Sequence, residues 1–134
     1  MTAPRGSVRR EVRIGRSPDD IWAIVGDPGR ITEWFPGIVE ATVDGNERTI
    51  VTGAGLPMPE EIVTLDPLQR RFQYRIRGPL FTEHLSTLDV IDLGDGTSLV
   101  VYAADAIPAT LALTIAGAAG SALEHLRTQM ENAE

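Results

Sequence analysis

Hydrophobic and polar positions alternate from Ser7 to Ile14. Val8, Arg10, Val12 and Ile14 fall on one side, and Arg9, Glu11 and Arg13 on the other. A period of two predicts a half-buried strand. Gly15 ends the run. At Ser17-Pro18-Asp19-Asp20 the pattern turns into a helix start, with Ser17 as N-cap, Pro18 in the first helical position and two acids at the positive end of the dipole. Ile21, Trp22, Ile24 and Val25 form the buried face of this short helix, which Gly26 closes. Asp27-Pro28 opens a second helix. In it Ile31, Trp34 and Phe35 share a face by their i, i+3, i+4 spacing, and Pro36-Gly37 stops it.

From Ile38 the chain reads as strands. The runs are 38–43, 48–52, 61–65, 71–77, 83–93 and 98–104. Between them lie turn residues: Asp44-Gly45-Asn46, Gly53 to Pro59, Asp66-Pro67, Gly78-Pro79 and Gly94-Asp95-Gly96. Gaps of this chemistry predict hairpins. Residues 108–132 return to helical spacing, with Leu123, Leu126 and Met130 inward and Glu124, His125, Arg127 and Glu131 outward. The order is one strand, two short helices, six strands in a meander and a long helix. A meander of this length curls, and one face must be covered. The last helix is the only element large enough to cover it. The expected architecture is therefore α+β: a curved antiparallel sheet of about seven strands wrapped around the C-terminal helix, with the short helices plugging one end.

The chain has 134 residues, which is room for one domain. Residues 1–6 carry no pattern and are expected to be a flexible tail, leaving 7–134 as the domain. The formal charge of −7 speaks against a nucleic-acid partner. With no cysteine and two histidines, neither a thiolate nucleophile nor a metal centre built on them is expected. All 12 basic residues are arginine, which excludes Schiff-base chemistry on lysine and fits an Arg-favouring bacterial genome. No motif calls for a cofactor. Met1 to Gly6 has no apolar core segment, so a cytoplasmic location is expected. Residues 106–123 are uncharged, but Pro108, Gly117, Gly120 and many alanines make this a weak spanning helix. It reads as a buried or partner-facing helix without stable membrane insertion.

Strand parity names a lining. Phe72, Tyr74 and Ile76 share a face, while Arg71, Gln73, Arg75 and Arg77 take the opposite, polar one. In the next strand Leu88 and Val90 carry Ser86 and His84 inward with them. In the last strand Leu99, Val101 and Ala103 are placed inside with Asp105 at the rim, although the alternative set of Ser98, Val100 and Tyr102 is also rather apolar. One of Glu60 and Glu61 faces inward; Glu61 is assigned to the lining. On the last helix, stepping back from Leu123 reaches Gly120, Ala119, Ala116, Leu113 and Ala112. Small residues against a curved sheet leave volume, or else allow close helix–sheet contact or a dimer face. His84 is the candidate general base, because imidazole titrates near neutrality.

The combination resembles the helix-grip superfamily, which includes START lipid-transfer domains, birch-pollen-type ligand binders and bacterial polyketide cyclase/dehydrase-like proteins. The resemblance runs over about residues 7 to 132. It rests on Ser17-Pro18-Asp19-Asp20-Ile21-Trp22, on Asp27-Pro28 through Trp34-Phe35-Pro36-Gly37-Ile38, on Glu61-Ile62-Val63-Thr64-Leu65-Asp66 with Arg70-Arg71-Phe72-Gln73-Tyr74-Arg75-Ile76, and on Gly94-Asp95-Gly96-Thr97. Gly55-Leu56-Pro57 is similar to the gate loop of plant abscisic-acid receptors, and Gly78-Pro79-Leu80-Phe81 stands where their basic latch would be. The resemblance implies a lid bearing Leu56 and Met58 over a pocket whose mouth Trp34 and Phe35 flank. It also implies polar ligand contacts at positions matching His84, Ser86 and a glutamate near Glu60 or Glu61. The fold hosts carriers, receptors and enzymes alike. Three readings follow: a binder of a small hydrophobic or amphipathic molecule (a lipid, polyketide or aromatic metabolite); a cyclase or dehydrase using His84; and a homodimer or partner-interaction module.

Overall fold

The computed structural model describes residues 4–133. Its elements are β1 (Gly6–Ile14), α1 (Pro18–Val25), a 3-10 helix (Pro28–Glu33), β2 (Ile38–Asp44), β3 (Glu47–Thr52), β4 (Pro57–Asp66), β5 (Arg71–Ile76), β6 (Glu83–Asp92), β7 (Ser98–Ile107) and α2 (Ala109–Glu131). The seven strands form one sheet in the order β1-β7-β6-β5-β4-β3-β2, with every neighbouring pair antiparallel. The sheet curls around α2, which lies against β1 and β7.

Local chemistry explains the short helices. The Ser17 side chain accepts from the Asp20 N–H at the start of α1, and Pro18 needs no partner there. The Asp27 side chain accepts from Gly29 N–H, and the segment that follows is a single 3-10 turn system, too short to settle as the expected α-helix.

Two boundaries differ from expectation. Gly6 opens β1 opposite Ala106, the Pro4 carbonyl accepts from Ala109 N–H, and Arg5 pairs with Asp105. Residues 4–6 are thus docked rather than a loose tail; residues 1–3 lie outside the described ones. The 53–59 turn is also shorter than expected, because β4 begins at Pro57. Pro57 and Pro59 tolerate a strand because they pair with β3 on one side only. The Pro59 carbonyl accepts from Arg77 N–H just past the end of β5, so the side on which proline lacks a donor meets no regular ladder.

The core divides along α2. Leu123, Leu126 and Met130 fill one end together with Ile21, Val25, Ile14, Phe72, Leu88, Val90 and Val100. Toward its N-terminus α2 is small-sided. Ala112 presses on β1 so closely that a side chain at Gly6 would stand 2.7 Å from its methyl group. Gly120 lies under the aliphatic stem of Arg10. The stripe of Ala112, Ala116 and Gly120 therefore serves close helix–strand contact rather than opening volume. Leu113, expected inside, is 67% exposed because it lies one residue round the helix from Ala112.

Parity in β7 is the reverse of the expected one. Val100, Tyr102, Ala104 and Ala106 are buried, while Val101, Ala103 and Asp105 are half-exposed on the outer face. The pairing with β6 requires this. Directly opposed residues share a face, and Leu88 opposes Tyr102 while Val90 opposes Val100. On the outer side Arg9, Glu11 and Arg13 of β1 oppose Ala103, Val101 and Leu99, so long charged side chains flank that apolar row.

Candidate functional site

A cavity of about 330 Å³ opens between the sheet and the N-terminal half of α2. Phe35 and Ile38 border its mouth. Ile50 and Thr52 of β3, Met58 and Glu60 of β4, Tyr74 and Ile76 of β5, and Tyr102 of β7 form the sheet wall; Thr114, Ile115 and Ala118 form the helix wall. The lining is mostly apolar with a few convergent polar atoms, the usual make-up of a small-molecule site.

The polar atoms come from a buried cluster. Arg48 Nε donates to Glu60 Oε1 at 2.7 Å, with both side chains almost wholly buried. Arg48 NH1 donates to the Pro28 carbonyl at 3.1 Å, and NH2 is buried without a partner. The guanidinium lies 5.2 Å from the Phe72 ring centre and 4.9 Å from that of Tyr74, within cation–π range. The Tyr74 and Tyr102 hydroxyls hydrogen-bond to each other. Burial raises the Glu60 pKa, and Arg48 opposes that rise. Burial also raises both phenols, Tyr102 the more strongly, so neither ionises near neutrality.

His84 occupies a different place. Regular β5–β6 pairing stops at Tyr74 opposite Ser86, while β6 continues against β7 back to Glu83. The two strands splay, and the His84 ring fills the fork. Ile76 N–H donates to His84 Nδ1 at 2.8 Å, which fixes the neutral tautomer with the proton on Nε2; Nε2 then donates to Ser86 Oγ at 2.8 Å. Burial, and secondarily the charge of Arg75, lower its pKa to about 4 against a weaker opposing pull from Asp105. The lone pair is engaged by the backbone and the proton by Ser86. His84 is therefore a structural plug, which corrects the assignment of it as general base. Outside the fork is a second, more polar depression of about 410 Å³ bordered by Arg5, Arg75, Phe81, His84 and Asp105.

Of the residues expected to line a pocket, Phe35, Met58, Tyr74 and Ile76 meet at the cavity. Trp34, Phe72 and Leu88 are closed core, and Ser86 is fully buried beneath His84. Leu56 is 54% exposed on the β3–β4 loop, outside the lining. Glu61 is on the outer face with Arg77 and Arg75; Glu60 takes the inner position. Val101, Ala103, Asp105, Leu113, Ala116 and Gly120 do not line the cavity, for the reasons of parity and close packing given above. Sequence reasoning missed Tyr102, Ile115 and Ala118 in the lining, and Arg48 as the buried partner of Glu60 behind it. Arg48 was findable: it shares parity with Ile50, and the β3–β4 hairpin sets it opposite Glu60. The exposed strip of α2 offers one large apolar side chain, Leu113. No helix among the described residues is long and apolar enough to cross a membrane, and no cluster of three or more His, Asp or Glu side chains there is arranged to hold a metal.

The family model for polyketide cyclase / dehydrase and lipid transport proteins matches residues 5–131. The chain belongs to this family. No curated protein matches the sequence. Among solved structures, the XoxI protein of Bacillus cereus superposes with a TM-score of 0.88 at 20% identity, covering 95% of this chain and 96% of that one. Norcoclaurine synthase from Thalictrum flavum superposes with a TM-score of 0.77 at 14% identity, covering 100% and 98%. The di-domain ARO/CYC protein BexL of the BE-7585A biosynthetic pathway gives 0.79 at 17% identity, covering 93% of this chain and 46% of that one. At these identities the likeness establishes the helix-grip fold and no more.

Proposed function

We propose that this family member binds a small amphipathic molecule, of polyketide or aromatic type, in the cavity between the sheet and α2. The observation that carries the reading is the cavity itself: about 330 Å³ of apolar space with Glu60, Tyr74 and Tyr102 gathered on one wall. Phe35, Met58, Ile76, Ile115 and Ala118 supply apolar contact, and the carboxyl and phenol groups orient the ligand. The volume is at the low end for small-molecule sites, which favours a compact ring system over a long acyl chain. The ARO/CYC and norcoclaurine synthase likenesses support ring-bearing ligands on this fold.

Titration with naphthalene, followed by native mass spectrometry, tests the reading. A saturable one-to-one complex that Ala118→Phe abolishes is expected. No binding, or binding indifferent to Ala118→Phe, overturns it. The same spectrum reports whether the chain is a monomer or a homodimer.

A second reading, cyclase- or dehydrase-type proton transfer, is favoured by one observation. Glu60 is a cavity-wall carboxyl whose pKa burial raises, beside two un-ionised phenols. Solvent deuterium exchange at the α-carbon of 2-tetralone measures this chemistry. Acceleration by the protein that Glu60→Gln removes supports the reading; no acceleration overturns it.

A further inference from the structure

Glu60 is the one carboxyl among the described residues that line the cavity, and it is ion-paired with Arg48; no arginine or histidine borders the space. The nearest cation, Arg48, is not among the residues that border it. Its Nε is committed to Glu60 Oε1 and its NH1 to the Pro28 carbonyl, its NH2 is buried without a partner, and the rings of Phe72 and Tyr74 lie within cation–π range of it. Arg48 holds Glu60 through Oε1 alone, so the carboxylate keeps acceptor capacity toward the cavity. A molecule entering the space meets hydroxyls, apolar groups and one carboxylate.

We propose that Glu60 is the specificity-determining residue of the cavity: it accepts a hydrogen bond from the hydroxyl or ammonium group of a neutral or cationic aromatic ligand, and it excludes carboxylates such as fatty acids. The proposal rests on the reading that the cavity binds a ligand. Its physics is that of like charges brought together at a buried group. A carboxylate guest meets no cation in the lining and faces the carboxylate of Glu60, which the fold has already desolvated. A donor does the reverse, replacing water on a group already desolvated by the fold. The protein's overall charge of −7 acts in the same direction at longer range.

The test compares four matched probes on the full chain at neutral pH by calorimetric titration: naphthalene, 2-naphthol, 2-naphthylmethylammonium and 2-naphthoate. The wild type is expected to bind naphthol and the ammonium at least about tenfold more tightly than naphthoate. The ammonium and carboxylate probes both lose hydration on entry. A general penalty on charge weakens both, whereas Glu60 separates them by sign. In Glu60→Gln the preference for ammonium over carboxylate is expected to fall within about threefold. Because that variant leaves Arg48 buried without its partner, the double variant Arg48→Met/Glu60→Gln is measured beside it. Equal binding of naphthoate and naphthol by the wild type, equal weakening of both charged probes, or a preference that survives in the folded variants would overturn the selection while leaving the cavity reading intact, provided naphthalene binds. Failure of all four probes, naphthalene included, would overturn both.

Discussion

The two halves of α2 face the same sheet and do opposite things. Its C-terminal half drives Leu123, Leu126 and Met130 into a core closed by α1 and the Phe72–Leu88–Val100 layer. Its N-terminal half splits its duties by angle. Ala112 presses against β1 and Gly120 lies under Arg10, while Thr114, Ile115 and Ala118 look across an open space toward Tyr74 and Tyr102. The hollow is not made by the small residues that touch the sheet. Those set how near the helix sits to one edge of the sheet, and the space remains on the other side, where β3, β4 and β5 curl away. Side-chain size along a helix therefore locates a cavity only when the direction of each side chain is known.

The comparison can be broken first at the polar wall. Glu60→Ala strands Arg48 as a lone buried charge and is expected to cost about 3–5 kcal/mol in denaturant unfolding, whereas the apolar pair Arg48→Met/Glu60→Leu should restore most of it. A cost below about 1 kcal/mol for the single change would mean the hollow end is too wet for the pair to matter. Next in size is the contrast along α2. Leu126→Ala at the filled end should cost about 2–5 kcal/mol by leaving a void, while Ala118→Phe at the hollow end should change stability by less than about 1 kcal/mol. Equal costs would show that the two ends are packed alike.

His84 sharpens the boundary between them. Its folded pKa of about 4 lies below the ordinary histidine value, so the unfolded chain binds the extra proton at mildly acidic pH. Stability from this group is full above the unfolded pKa and is lost as pH falls toward 4, by up to about 3 kcal/mol. Glu60, whose pKa is raised, contributes with the opposite sign, so the measurement is the difference in pH dependence between wild type and His84→Asn. An identical slope in both would remove His84 from the account. The smallest expected effect comes from the same position at neutral pH. His84→Ala leaves the Ile76 N–H without its acceptor, at about 1–3 kcal/mol, and His84→Asn, whose carbonyl can take that bond, should cost visibly less. If the two variants are equally destabilised, the ring acts by filling the fork and not through Nδ1.

Much of this was legible in the residues. The Ser17 cap, the Asp27-Pro28 turn and the hairpin turns marked element order and ends, because they act over a few bonds. Parity was legible in β5 because one set of positions is plainly polar, and in β6 because Leu88 and Val90 stand as an apolar pair. In β7 both sets are apolar, and the residues themselves were ambivalent. The ambiguity was resolved by pairing with β6, a contact between strands that parity within one strand cannot supply. The same limit hid the site. Arg48 merely opened the strand run 48–52, yet β3–β4 register sets it against Glu60 beside two aromatic rings. His84 read as a base because its chemistry permits that; where β5 and β6 diverge decided that its lone pair belongs to a backbone N–H.

The sequence by itself thus determined the order of elements, the helix-grip architecture, and which faces of β5 and β6 turn inward, since capping, turn chemistry and period-two patterning are local. Tertiary structure alone decided where the hollow lies, which glutamate enters it, and that a buried arginine holds that glutamate. Those are set by strand register and by the angle at which α2 meets β1, which join groups far apart in the chain.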